Sequence, residues 1–189
     1  MSRHSATKLT YEDYLQFPDD GLRHEIIEGE HYVTASPVLR HQRILLRFTY
    51  LLQSHLERWP AGELLFAPFT VLLSEFNVFE PDLLYISAAR LHQLTEKNLQ
   101  GAPDLVVEIL SPSTQSRDRR LKREVYERTG VEEYWVVDPD ENVIEVYRRS
   151  QPAGSGVQSF ADAQRYLCGQ ILATSLLPGL ELPLDKILA

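Results

Sequence analysis

Asp104-Leu105-Val106-Val107-Glu108-Ile109-Leu110-Ser111-Pro112 is the stretch on which the fold turns. Side chains alternate across a strand, so Val106, Glu108 and Leu110 share one face and Leu105, Val107 and Ile109 the other. Both faces are apolar, which places the segment inside a sheet covered on both sides. Glu108 is the anomaly. A carboxylate there costs several kcal/mol unless a cation or good donors compensate it. Either Glu108 meets an arginine or solvent at the strand end, or it belongs to a site that needs an acid.

Beyond the strand, the polar turn Ser111-Pro112-Ser113-Thr114 leads into a helix expected over Arg117 to Thr129, stopped by Gly130 where a left-handed cap is wanted. Glu133 to Val137 is a second apolar, β-prone run, so residues 104–137 read as a βαβ-like unit. Pro139 to Asn142 then turns the chain into a strand over Val143 to Tyr147. Upstream, Thr10 is placed to cap a helix over Tyr11 to Phe17 that Pro18 ends. His24 to Thr34 alternates around Glu28-Gly29 as a hairpin. Ser36-Pro37 suits the start of a long helix to about Trp59, with Leu45, Phe48, Leu52 and Leu56 at helical spacing. Strands are expected over Glu63 to Ala67, Phe69 to Leu73 and Asp82 to Ile86, and Ser87 can cap a short helix to about Glu96. Gln151 to Ser159 reads as a loop, and Leu177 to Leu188 as a tail packed back on the body. The expected fold is α/β, a mixed central sheet flanked by helices, in one domain spanning 1–189.

Composition sets the frame. The chain has 189 residues, 43% hydrophobic and 24% charged, ordinary for a globular domain. Its one cysteine, Cys168, rules out an intrachain disulfide framework, and a reducing cytoplasm is the expected home. Met1 to Thr10 lacks the apolar stretch of a secretion signal. Nineteen basic against 27 acidic residues give a net charge of −8, which argues against a surface covered in phosphate contacts. From Arg117 to Arg128, however, six basic residues face three acids. One basic segment in an acidic protein permits a phosphate-bearing ligand at one place.

Pro81-Asp82 stands at the entrance of a second strand, and Lys122 lies fourteen residues beyond Glu108 on the basic helix. Asp118 and Lys122 share a helix face, as do Lys122 and Tyr126. Leu121 and Val125 supply the adjoining core stripe, so Lys122 borders the buried side. A solvated Lys122 paired with Asp118 is the plainer alternative. Two carboxylates on neighbouring strands with a lysine suit a magnesium-dependent phosphodiesterase. Hard Mg²⁺ prefers oxygen ligands, and a bound divalent ion acidifies water and offsets phosphoryl charge.

Pro81-Asp82, Val107-Glu108-Ile109-Leu110-Ser111-Pro112-Ser113 and Asp118 to Lys122 resemble the PD-(D/E)XK nuclease superfamily. More closely they resemble a bacterial family of restriction-endonuclease type. Glu25 to Glu30, His41 and Gly130 to Pro139 extend the likeness, which runs from about residue 10 to residue 185. The resemblance implies a restriction-endonuclease-like core, with Asp82, Glu108 and the carbonyl of Ile109 as metal ligands. The lysine expected two residues after the glutamate is replaced by Leu110, and Lys122 matches a lysine moved to the next helix. An additional acid often precedes the long helix in this superfamily, and Glu25 is preferred over Glu28 for it. His41, on one face with Ile44 and Phe48, reads as a structural histidine. Tyr134 and Trp135 read as core or interface residues, and Cys168 as a small core residue.

Two functions follow as expectations. The first is a Mg²⁺-dependent endonuclease, with Mn²⁺ as a substitute ion, cutting DNA by means of Asp82, Glu108 and Lys122. Some of Arg117, Arg119, Arg120 and Arg123 would then touch phosphates. The second is a nucleic-acid-binding or accessory protein that keeps the fold without turnover. An acidic chain of this size gripping a duplex favours a homodimer. No Gly-x-Ser-x-Gly elbow is present to support a serine hydrolase.

Overall fold

Thr10 starts helix α1 (Tyr11–Tyr14) through a reciprocal capping box with Asp13. The helix stops one turn earlier than Pro18 requires. The structure, a computed structural model, describes residues 7–150 and 158–189. The loop expected over Gln151 to Ser159 therefore lies mostly outside the described residues, as does most of the polar segment Met1 to Thr10.

The hairpin forms as expected. Strands β1 (Arg23–Ile27) and β2 (Glu30–Thr34) pair antiparallel about Glu28 and Gly29, whose φ values are 54° and 84°. Two successive left-handed residues match the twist of a two-residue hairpin. Helix α2 (Leu39–Arg58) begins later than Ser36-Pro37 suggests: Val38 is its N-cap, and no side chain caps it. Ser36 and Pro37 instead lie outside any helix or strand and line a cleft. Next come β3 (Gly62–Phe66), β4 (Thr70–Ser74), β5 (Asn77–Phe79) and β6 (Leu83–Ser87). A 3₁₀ turn over Ala88–Gln93 replaces the short helix expected after Ser87. Strands β7 (Asn98–Gln100) and β8 (Leu105–Ile109) lead to a π-helical turn, Arg117–Lys122, that continues into α3 (Arg123–Thr129). Gly130 ends α3 at φ 101°, the left-handed cap its sequence position implies. The rest comprises β9 (Glu133–Asp138), β10 (Val143–Ser150), β11 (Ser159–Phe160), β12 (Gln164–Leu167), β13 (Ile171–Leu172), β14 (Leu182–Pro183) and α4 (Leu184–Leu188).

Among the described residues these strands form two principal sheets rather than one. The larger runs β11-β10-β9-β8-β6-β3, with β12 on β10; the smaller runs β2-β1-β5-β4-β7. The short strands β5 and β7 carry too few residues to show a period, which is why only β4 of the smaller sheet's right half was legible. Strand β8 pairs parallel with β9 and antiparallel with β6, so the βαβ-like unit sits at the centre of a mixed sheet.

The two faces of β8 enter different cores. Leu105, Val107 and Ile109 pack with Ile44, Phe48 and Leu52 of α2, with Trp135, and with Leu184 and Ile187 of the tail. Val106 and Leu110 pack with Val125, Tyr126, Tyr134 and Phe79. Tyr134 and Trp135 are thus core residues. Cys168 is not: it is exposed in the turn between β12 and β13, beside Gly169 at φ 88°. No helix among the described residues is long and apolar enough to cross a membrane.

Candidate active site

Asp82 immediately precedes β6, and the register Leu83↔Val107 continues to set it opposite Glu108 on the far side of the sheet from Val107. Both carboxylates are 2% exposed. Each is held by donors. Arg23 Nη1 donates to Asp82 Oδ1 at 2.7 Å, while the Ile109 N–H and His41 Nε2 meet Oδ2 at 2.8 and 3.0 Å. Burial alone would raise the Asp82 pKa, but His41, Arg23 and the Ile109 N–H outweigh it and hold the carboxyl down at about 2. Asp82 is ionised at neutral pH.

Glu108 differs. Lys122 Nζ at 2.9 Å and the Tyr126 hydroxyl at 3.0 Å both donate to Oε1. Burial raises its pKa to about 8; Lys122 pulls the other way, against the nearby acids Asp118, Asp82 and Glu25. With Oε1 accepting twice, a proton on Glu108 resides on Oε2. Tyr126 stays protonated, its pKa raised by burial and by Glu108.

Lys122 is the hub. Its Nζ lies 2.7 Å from Glu25 Oε1, 2.9 Å from Glu108 Oε1 and 3.6 Å from Asp118 Oδ1, at 2% exposure. Desolvation would lower its pKa, yet Glu108, Glu25 and Asp118 together raise it. Lys122 is an ammonium, and its shortest contact is with Glu25 rather than Glu108.

The π-turn explains why these groups meet. In an α-helix of 3.6 residues per turn, residues five apart point about 140° away from each other. Bonding from i to i+5 brings them to one side, so Arg117 and Lys122 both reach Glu25, at 3.6 and 2.7 Å. Tyr134 donates to the Asp118 carbonyl at 3.0 Å, a side-chain bond to the loosened backbone. Glu25 is fully buried on β1, whereas Glu28 sits in the turn, half exposed and paired with Arg128. The hairpin register thus puts Glu25, not Glu28, in the cluster. Arg119 turns away to Asp138 and Glu145.

Asp118, Arg23, His41 and Tyr126 join the site, although sequence reasoning did not assign them to it. Asp118 had a signal, four residues before Lys122, and His41 had one in the apolar face it shares with Ile44. Arg23 had none, because its contact with Asp82 spans 59 residues.

Arg23, Glu25, His41, Asp82, Glu108, Asp118 and Lys122 line one cleft of about 260 Å³, walled by Thr34 to Val38 and Ser111 to Thr114. Donors fill three of the roughly four lone-pair positions of Asp82. Buried Glu25 Oε2 and Asp118 Oδ1 have no hydrogen-bond partner. An all-oxygen donor set, with carboxylate oxygens that accept no hydrogen bond, fits a hard divalent cation. Among the described residues no three Asp, Glu, His or Cys side chains form a ready cage. Such an ion would keep waters and take substrate oxygens, as Mg²⁺ usually does.

A mixed sheet flanked by helices, with strand-borne carboxylates and a helix-borne lysine, defines a fold of the PD-(D/E)XK nuclease class. The chain belongs to the Uma2 family, described as "Putative restriction endonuclease", whose model it matches over residues 11–185. A solved structure, "a putative nuclease belonging to DUF820" from Anabaena variabilis, is similar at 19% identity and a TM-score of 0.75. The match covers 95% of this chain and 97% of that one, and at this identity it carries the fold alone. No curated protein matches the chain significantly.

Proposed function

We propose that this protein is a Mg²⁺-dependent endonuclease that hydrolyses phosphodiester bonds in DNA. One observation carries the reading: Asp82, Glu108, Glu25 and Lys122 converge, buried, at the floor of a single cleft. Family membership supports the nuclease part. Asp82, Glu108 and the Ile109 carbonyl would hold Mg²⁺, or Mn²⁺ in its place. When bound, the ion supplies Lewis-acid polarisation of a phosphoryl oxygen and a more acidic water.

The chain's own residues do the rest. His41 and Arg23 keep Asp82 ionised and fix its orientation. Tyr126 and Lys122 occupy Oε1 of Glu108 and leave Oε2 for the cleft. Lys122, charged throughout, stabilises negative charge that grows on the phosphoryl oxygens. Arg117, anchored at Thr34 and near Glu25, adds a second cation on the cleft wall.

Glu108→Ala should reduce Mg²⁺-dependent cleavage of DNA by about 10³-fold, the size of loss expected when a key electrostatic group is removed. Undiminished cutting by that variant would take Glu108 out of the mechanism. The acidic net charge of −8 favours a second reading, an accessory nucleic-acid-binding protein without turnover. Calorimetry with Mn²⁺ separates the two: the enzyme binds the ion and loses it in Asp82→Ala. The setting we propose is the cytoplasm, with a homodimer as the working species; light scattering at the dimer mass tests the latter.

A further inference from the structure

We infer that a second copy of this chain packs on the outer face of α2, the two helices running antiparallel about a twofold axis near residue 48. The inference deepens the homodimer proposed above and stands apart from the nuclease chemistry. Two separate observations carry it.

The first is a seam. Ile44, Phe48, Leu52 and His55 turn one side of α2 into the core. At about 100° per residue, the opposite side carries Leu39, Arg43, Leu46, Tyr50, Gln53 and Glu57, all exposed. Steps of four and three residues alternate along that row, the spacing that keeps a stripe continuous against a second helix. A helix that only covers a core has a polar outer side. Here Leu46 and Tyr50, at mid-helix, are each 69% exposed, and Leu39 is 65% exposed. Leu46 and Tyr50 also border an apolar groove of about 440 Å³ with Arg47, Leu51 and Lys186 of α4. Arg47 donates to the Ile187 carbonyl and to the terminal Ala189, so its alkyl stem forms a fixed wall. An apolar centre holding a tyrosine, with Arg43, Gln53 and Glu57 toward the ends, is the layout of a protein interface.

The second is self-complementarity, which commits the face to a copy of itself. A twofold interface requires that residue i meet residue j and j meet i. The row is symmetric about residue 48, so an antiparallel copy sets Leu46 against Tyr50 of the partner subunit and Arg43 against Gln53 of the partner subunit. Charge follows the same order. Glu57, in the last turn, is the one acid of α2, whereas Arg40, Arg43 and Arg47 lie in its first half. Reversal brings Glu57 of the partner subunit opposite Leu39, within a turn of Arg43, and symmetry repeats the pair at the other end. A parallel copy would instead align the arginines with one another, and like charges on facing helices repel. The cleft stays open in this arrangement, because His41 faces it from the core side of α2.

Sedimentation velocity of the full chain tests the inference. The wild type should run as a dimer at micromolar concentration. Leu46→Glu and Tyr50→Glu should each weaken the dimer by at least about 30-fold, with the circular dichroism spectrum unchanged. Arg43→Glu and Glu57→Arg should each weaken it about tenfold, because the pair occurs twice. The double variant carries the pair in reversed order and should return to within about threefold of the wild type, a rescue that a merely structural role does not produce. A dimer insensitive to both Leu46→Glu and Tyr50→Glu leaves the homodimer standing and overturns this interface. Charge reversals whose losses add in the double variant overturn the antiparallel pairing. A wild-type monomer overturns interface and homodimer together; if Tyr50→Glu then weakens binding of a DNA duplex, the face belongs to nucleic acid. A dimer broken by Leu46→Glu, with no cleavage by any form, keeps this inference and removes the nuclease reading.

Discussion

Strand β8 has two faces, and they solve the problem of burial differently. Leu105, Val107 and Ile109 enter a core that is apolar throughout, against α2 and the C-terminal tail. Each such side chain, fully buried, contributes roughly 1.5–3 kcal/mol. On the other face Val106 and Leu110 are also in apolar surroundings, yet Glu108 between them meets an ammonium and a phenol. The difference is not hydrophobicity but donors. An acidic group is tolerated on one side only because the π-turn and α3 deliver Lys122 and Tyr126 to it.

The largest test of that contrast moves the acid to the wrong face. Val107→Glu places a carboxylate where no donor waits, and we expect a loss above about 4 kcal/mol, with failure to fold a consistent result. Urea denaturation or soluble yield reads it. Destabilisation under about 1 kcal/mol would mean the two faces are equivalent. Next in size is Lys122→Met. Stranding Glu25, Glu108 and Asp118 without their shared cation should cost about 3–5 kcal/mol, and adding Glu108→Leu should restore part of it.

A smaller effect sharpens the comparison through pH. The Glu108 pKa rises from 4.5 to about 8. Between those values the folded form holds a proton that the unfolded form has released, so metal-free stability falls as pH rises through that window. A divalent ion needs the proton gone, so Mn²⁺ should raise the melting temperature more at about pH 9 than at about pH 6. Glu108→Gln should flatten both trends. The smallest effect separates two glutamates of one hairpin. Glu28→Ala, removing a half-exposed pair with Arg128, should change stability by less than about 1 kcal/mol, as surface pairs do. Glu25→Ala, which strips a 2.7 Å partner from Lys122, should exceed it in the same denaturation series.

Periodicity and punctuation accounted for much of the architecture. The capping residue Thr10, the Glu28-Gly29 turn, the leucine stripe of α2 and the Gly130 stop each act within a few residues, so they show in sequence. Strand β8 and its oddly placed acid were visible for the same reason. Strands β5 and β7, three residues each, were not, since so short a run carries no period. Ser36-Pro37 resembled a helix start, but the helix begins only at Leu39 and this pair lines the cleft. Cys168 looked like core because cysteines usually are, and a turn at a thinly paired strand left it exposed.

What the chain alone determined is therefore local: which segments are strands or helices, that Glu108 demands compensation, and that Lys122 lies within reach. Tertiary structure decided which partners answer. The choice of Glu25 over Glu28, the clamp of Arg23 and His41 on Asp82, and the shared face of Arg117 and Lys122 all depend on register or helix winding. Those contacts join residues up to 97 positions apart, such as Glu25 and Lys122, and no nearest-neighbour preference encodes them. Electrostatic attraction in a desolvated cluster does, because there a misplaced charge costs more than any local propensity can return.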